Sequence, residues 1–188
     1  MQYPTPSSLD RTYPAKYAII FVFGLSILAT MGSWLYMVNV QRKPIALWGA
    51  DHAVVIVRGP RAEAIKLAPG EGDDPKQARF EVEGRTWHAV EVRDIVKAPG
   101  LNNVRNCMIN ERSFDNQQVA DIGEGSWAYA LRFADEQKQA TLLIDPAHNF
   151  ARLYETGATA SIKPVISVVK GFMEEVLAPR KDEKAAAR

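Results

Sequence analysis

The chain has one cysteine in 188 residues, Cys107, which excludes an internal disulfide and leaves no second thiol for a redox or zinc motif. A basic excess is missing too. Four of the 23 Lys and Arg and one of the 22 Asp and Glu precede Pro44, so the remainder holds 19 basic and 21 acidic residues, a net charge of −2. Nucleic-acid-binding domains carry a basic face, and this balance argues against nucleic acid as a partner. No Gly-x-Ser-x-Gly elbow occurs: Gly123-Glu124-Gly125-Ser126 has neither its spacing nor its strand-turn-helix setting. The glycine pairs Gly70-Glu71-Gly72 and Gly123-Glu124-Gly125 bracket acidic residues that would repel a phosphate, so both read as turns.

The absence that says most is of charge. From Tyr17 to Gln41, 25 consecutive residues carry none. A helix needs about 20 predominantly apolar residues to cross a hydrocarbon core of about 30 Å, and Ala18 to Val38 is long enough. A cleaved signal has a shorter apolar stretch and a small-x-small site, whereas large residues dominate here beyond Gly32-Ser33. A buried soluble helix would show a polar face, and this stretch offers only Ser26, Thr30 and Ser33. Tyr17 at one end with Trp34 and Tyr36 at the other match the aromatic belts of a membrane interface. Ser26, Ala29 and Ser33, with Thr30 beside them, place small residues along one side, a candidate helix-helix contact face.

Orientation follows Lys and Arg near the span, and Arg11 and Lys16 before it balance Arg42 and Lys43 after it. The short first segment and large second one resemble a signal-anchor, which puts the C-terminal domain outside the cytoplasm. The expected organisation is a tail at 1–16, a transmembrane helix at 17–41 closed by Arg42-Lys43-Pro44, a linker at 42–50, a soluble domain at 51–178 and a charged tail at 179–188. Trp48, in the linker, belongs at the membrane surface or at the domain's edge.

Within the domain, Ala53 to Val57 reads as a short buried strand before Gly59-Pro60. Ile65 and Leu67 mark a second, and 69–75 is a loop on turn chemistry. Phe80 and Val82, then His88, Val90 and Val92, alternate on either side of Glu83-Gly84 as a hairpin. Leu101, Val104 and Met108 recur at helical spacing, with Cys107 nearby, and 113–125 forms a further loop. Trp127, Tyr129, Leu131 and Phe133 fall on one face of a strand. Thr141 to Ile144 and Phe150 to Tyr154 are two more strands, joined by Asp145-Pro146-Ala147-His148-Asn149. A closing helix from Ser161 to Leu177 carries an apolar stripe through Ile162, Val165, Ile166, Val169, Phe172, Met173 and Val176, with Ser161 as N-cap. The class is α+β: an antiparallel sheet with two packed helices, preceded by one transmembrane helix.

Candidate chemistry is sparse. His52, His88 and His148 share no helix face with another ligand; Asp145 with His148 comes closest, and Asp-Pro in a turn is common for local reasons. Glu71, Asp73 and Asp74 lack the alternating pattern of a calcium loop. Cys107 falls on the apolar side of its helix, where a cysteine is ordinarily a small core residue. No catalytic residue, cofactor or metal is expected. The expected partners are the lipid bilayer and a membrane protein or a second copy of the chain. The alternative is a membrane-tethered enzyme or ligand sensor with a pocket assembled from scattered residues such as His88, Trp127 and Tyr129.

Three segments, Pro44-Ile45-Ala46-Leu47-Trp48-Gly49, Ala140-Thr141-Leu142-Leu143-Ile144-Asp145-Pro146 and Glu155-Thr156-Gly157-Ala158-Thr159-Ala160-Ser161 before an amphipathic helix, resemble stretches of uncharacterised bacterial single-pass membrane proteins of no known function. The resemblance implies a bacterial membrane origin and carries no activity or catalytic residue with it.

Overall fold

The computed structural model describes residues 13–72, 74, 77–115 and 125–179. Residues 1–12 of the expected tail at 1–16, most of the expected loop at 113–125 and residues 180–188 of the expected charged tail at 179–188 lie outside them, while residues 13–16 of the first tail belong to a helix. The chain divides into two compact units, Met1–Val40 and Gln41–Arg188.

Helix α1 runs Tyr13–Trp48, with Pro44 inside it. The expected stop at Arg42-Lys43-Pro44 is therefore wrong: the helix ends four residues after Pro44. A proline in a helix interior costs about 3 kcal/mol, and full burial of the Trp48 side chain returns a stabilisation of that order. The break falls at Gly49 instead, where φ is +81°, a conformation that favours glycine. Helix α2 follows at once, Ala50–Arg58. It replaces the strand expected at Ala53 to Val57. A five-residue apolar run suits a buried strand or one turn and a half of helix, and periodicity cannot separate them. Here Ala53, Val55 and Ile56 are buried while Val54 faces out.

The remaining elements are β1 (Arg61–Pro69), β2 (Arg79–Val82), β3 (Arg85–Asp94), α3 (Leu101–Ile109), a short 3₁₀ turn (Glu111–Ser113), β4 (Tyr129–Ala134), β5 (Gln139–Asp145), β6 (Phe150–Leu153), β7 (Thr159–Ser161) and α4 (Ile166–Val176). The seven strands form one antiparallel sheet in the order β2-β3-β1-β4-β5-β6-β7. The expected α+β architecture holds, with α2 as an additional packed helix. The β2–β3 hairpin turns at Glu83-Gly84, both with positive φ (53° and 75°), as a two-residue primed turn requires.

Helices α2, α3 and α4 cover one face of the sheet. Beneath them lies the larger core, with Trp48, Ile56, Leu131, Phe133, Leu142, Ile144, Leu153 and Met173. The other face closes on itself. In a flat sheet, β2 and β6 would be five strand spacings, roughly 24 Å, apart. The rings of Phe80 on β2 and Tyr154 just past β6 have centroids 5.3 Å apart, and Arg152 pairs with Glu83 at 2.5 Å. The sheet is strongly curled. A bulge that leaves Val90 of β3 without a partner between Lys66 and Leu67 of β1 contributes, since bulges sharpen twist. The concavity holds a second core of Ile65, Leu67, Phe80, Val82, Trp87, Trp127, Ala130 and Leu143. Strand β5 is buried on both faces.

Two further expectations fail here. Trp127 does not share a face with Tyr129, Leu131 and Phe133: those three pack under the helices, and Trp127 fills the second core. It precedes β4, where the backbone is free of the period-two constraint. The closing helix starts at Ile166, and Ser161, the expected cap, is the last residue of β7. Pro164 steers Lys163 away from helical geometry, and Ser161 pairs with Phe150 across the β6–β7 ladder.

Candidate functional site

Residues Tyr17–Met37 form 21 residues of apolar helix, none of it buried, with a mean hydropathy of 2.0. Fourteen large apolar side chains there, Tyr17, Trp34 and Tyr36 among them, are 53–70% exposed. Ser26, Ala29, Thr30 and Ser33 lie within an arc of about 100° at 3.6 residues per turn. The Ser26 hydroxyl donates to the Val22 carbonyl at 2.9 Å and the Thr30 hydroxyl to the Ser26 carbonyl at 2.8 Å. Their polar atoms are satisfied within the helix, so this side offers close approach rather than free hydroxyls.

The start of the second unit is built around Trp48. Its indole N–H donates to the Met108 carbonyl of α3 at 2.8 Å, and its ring meets Phe114 edge-on at 5.7 Å. Trp48 is therefore an anchor inside the domain. Holding the last turn of α1 against α2 and α3 leaves an open apolar groove of about 290 Å³, lined by Pro44, Ile45, Ala50, Ala53, Val54, Val57, Arg58 and Ile109. Arg105 of α3 closes the C-terminus of α2, donating to the carbonyls of Val57 at 2.7 Å and Gly59 at 2.6 Å beneath the Phe133 ring. Burial lowers its pKa, as desolvation does for any cation.

A larger depression, about 710 Å³, lies where Pro60 and Arg61, the end of β3 and the following loop meet Glu175 and Val176 of α4. Its two arginines have structural partners. Arg93 donates to the carbonyls of Val176 at 3.1 Å and Ala178 at 2.6 Å and pairs with Glu91, while Arg61 donates to the Asp135 carbonyl. Such contacts satisfy the orphan carbonyls of a helix end and a turn.

The scattered residues His88, Trp127 and Tyr129 are not brought together. Trp127 and Tyr129 belong to cores on opposite faces, and His88 Nδ1 lies 3.1 Å from the Gly70 carbonyl. Burial, and secondarily Glu174, raises the Tyr129 pKa. His52 Nδ1 lies 3.1 Å from the Trp48 carbonyl. Asp145 is fully buried: its oxygens accept from the backbone N–H groups of Ser126 (2.7 Å), Ala147 (2.9 Å) and His148 (3.1 Å), and Oδ2 lies 2.8 Å from His148 Nδ1. It organises the β5–β6 turn. The Asp-Pro signal located that turn, but nothing in the sequence marked Asp145 as buried. Burial pushes the Cys107 thiol up, away from nucleophilic thiolate chemistry. Among the described residues no group of three or more His, Cys, Asp or Glu is placed to hold a metal ion.

No known protein family, no curated protein and no solved structure matches this chain.

Proposed function

We propose that this is a single-pass membrane-anchored protein, non-enzymatic, whose extramembrane α+β domain works by contact with another protein or membrane complex, the domain lying outside the cytoplasm. One observation carries it: the fourteen exposed apolar side chains between Tyr17 and Met37. At about 1.5 kcal/mol each, keeping them in water would cost on the order of 20 kcal/mol, more than the 5–15 kcal/mol that stabilises a whole domain. A bilayer removes that cost. The small-residue side at Ser26, Ala29, Thr30 and Ser33 gives a partner helix a place to approach.

Purification from native membranes in mild detergent, followed by mass spectrometry, tests the partner. A co-purifying protein lost on replacing Ala29 and Ser33 with leucine supports contact through the span; recovery of the protein alone and monomeric removes the interaction. A reporter active only outside the cytoplasm, fused after Arg188, is expected to be active and would be silent in the opposite orientation.

A further inference from the structure

The depression of about 710 Å³ at the end of β3 lies wholly within the second unit and has a fixed frame. Ile95, 2% exposed, is drawn into the core, and its backbone N–H donates to the Ala62 carbonyl at 2.9 Å. Two turns shape the loop that follows: the Val96 N–H donates to Asp94 Oδ1 at 2.8 Å, and the Ala98 N–H to the Ile95 carbonyl at 2.9 Å. The facing wall is tied to the same strand, because Arg93 holds the carbonyls of Val176 and Ala178 at the end of α4. A site framed in this way loses little conformational freedom when it is filled.

Pro60, Val96, Ala98, Pro99 and Val176 give the depression an apolar lining, and side chains of both signs accompany them. Arg61 and Arg93 serve backbone carbonyls, and Asp94 holds its own turn. Lys97 and Glu175 remain. Both are exposed, and among the described residues neither side chain makes a hydrogen bond or an ion pair, although the two line one depression from different elements. A purely anionic ligand would meet Glu175 and Asp94, and a purely cationic one would meet Lys97 and the arginines; like charges brought together in this way are costly. A molecule with one charge of each sign avoids both conflicts. The volume falls in the range of small-ligand sites. A sphere of that volume is about 11 Å across, which three residues of extended chain fill at about 3.4 Å each.

We propose that this depression binds short zwitterionic peptides of about three residues. The terminal carboxylate meets Lys97, the terminal ammonium meets Glu175, and an apolar side chain between them lies on Val96, Pro99 and Val176. This ligand is independent of the membrane reading and adds to a domain whose proposed role is contact with larger partners.

The test titrates the full chain, in detergent micelles, with the tripeptide alanyl-leucyl-alanine, with its N-acetylated form and with its C-terminal amide, and follows the heat of binding. Saturable one-to-one binding of the free peptide is expected, weakened about tenfold or more by either modification. Lys97→Gln should bring the free peptide down to the level of the amide, with no further loss on amidation. Glu175→Gln should do the same for acetylation. Each variant is used after its melting transition is shown to match the parent, so a loss of binding is not a loss of fold. Absence of saturable binding at millimolar free peptide overturns the proposal, as does equal binding of all three forms or binding that both variants leave intact. Tighter binding of a capped form than of the free peptide means a ligand of single charge and overturns it as well.

Discussion

The apolar part of α1 and helix α4 are both rich in large aliphatic and aromatic side chains, and they live in opposite surroundings. In α4, Val169, Phe172 and Met173 are buried against the sheet while Lys170, Glu174 and Glu175 face out. Between Tyr17 and Met37 there is no charged side to turn outward and no buried side to turn in. The contrast shows that apolar content alone does not place a helix; its distribution around the axis does. One-sided content packs one face of a helix on a core, and all-round content gives a helix long and apolar enough to cross a membrane.

Four substitutions probe that contrast, from the largest expected effect downward. Phe133→Ala, in the core beneath the helices, should destabilise the domain by about 3–5 kcal/mol through lost contacts and a cavity. Denaturant unfolding of the reconstituted protein should register this while its resistance to alkaline extraction stays unchanged. Leu28→Arg should do the reverse. A charge at mid-span disfavours insertion by about 3 kcal/mol, roughly a hundredfold, and the protein should move to the alkaline-soluble fraction with the domain's melting transition intact. A Leu28→Arg protein that still resists extraction would mean that the bilayer does not hold it through this helix.

Trp48→Phe falls at the last residue of α1, inside the domain core. It keeps an aromatic ring and removes the indole N–H from the Met108 carbonyl, leaving a buried acceptor unpaired at a cost of about 1–3 kcal/mol. A shift in the unfolding midpoint is expected; none at all would show that the domain does not depend on the end of α1. The smallest effect concerns Asp135, whose carboxylate accepts from the N–H groups of Gln137 and Lys138 at 2.7 Å and is held below the usual carboxylate range by those bonds. A lowered folded pKa gives stability that is complete above the unfolded value near pH 4 and is lost as pH falls through the folded value. Asp135→Asn should therefore lower stability slightly at neutral pH and leave it little changed below the folded pKa, which flattens the acid limb of the stability profile.

The sheet was largely legible in the residues. The Glu83-Gly84 turn, the alternation through Leu131 and Phe133, and the Asp145–Asn149 connection all belong to strands or turns where local pattern and tertiary context agree. The misreadings cluster where local preference is weak or is overruled. Ala53 to Val57 suits either state, and neighbouring α3 settles it as a helix through Arg105. Ser161 is a sound cap by type, yet β6 claims it for the ladder. Trp127 follows the alternation of β4 in sequence and departs from it in space, where it packs with Phe80, Trp87 and Leu143 in the second core. The groove at Ile45 and Val54 was invisible, since it needs a helix through Pro44 and a reversal at Gly49.

Sequence alone determined that one helix is apolar on every side and that the domain is α+β. These are matters of composition and period, summed over many residues, and no single contact can overturn them. Tertiary structure alone decided that Trp48 is a core residue, that β5 is buried on both faces, that Phe80 meets Tyr154 across a curled sheet, and that His88, Trp127 and Tyr129 are apart. Each of these depends on residues distant in the chain being brought within a few ångströms, and that is set by packing of the whole domain rather than by any local run.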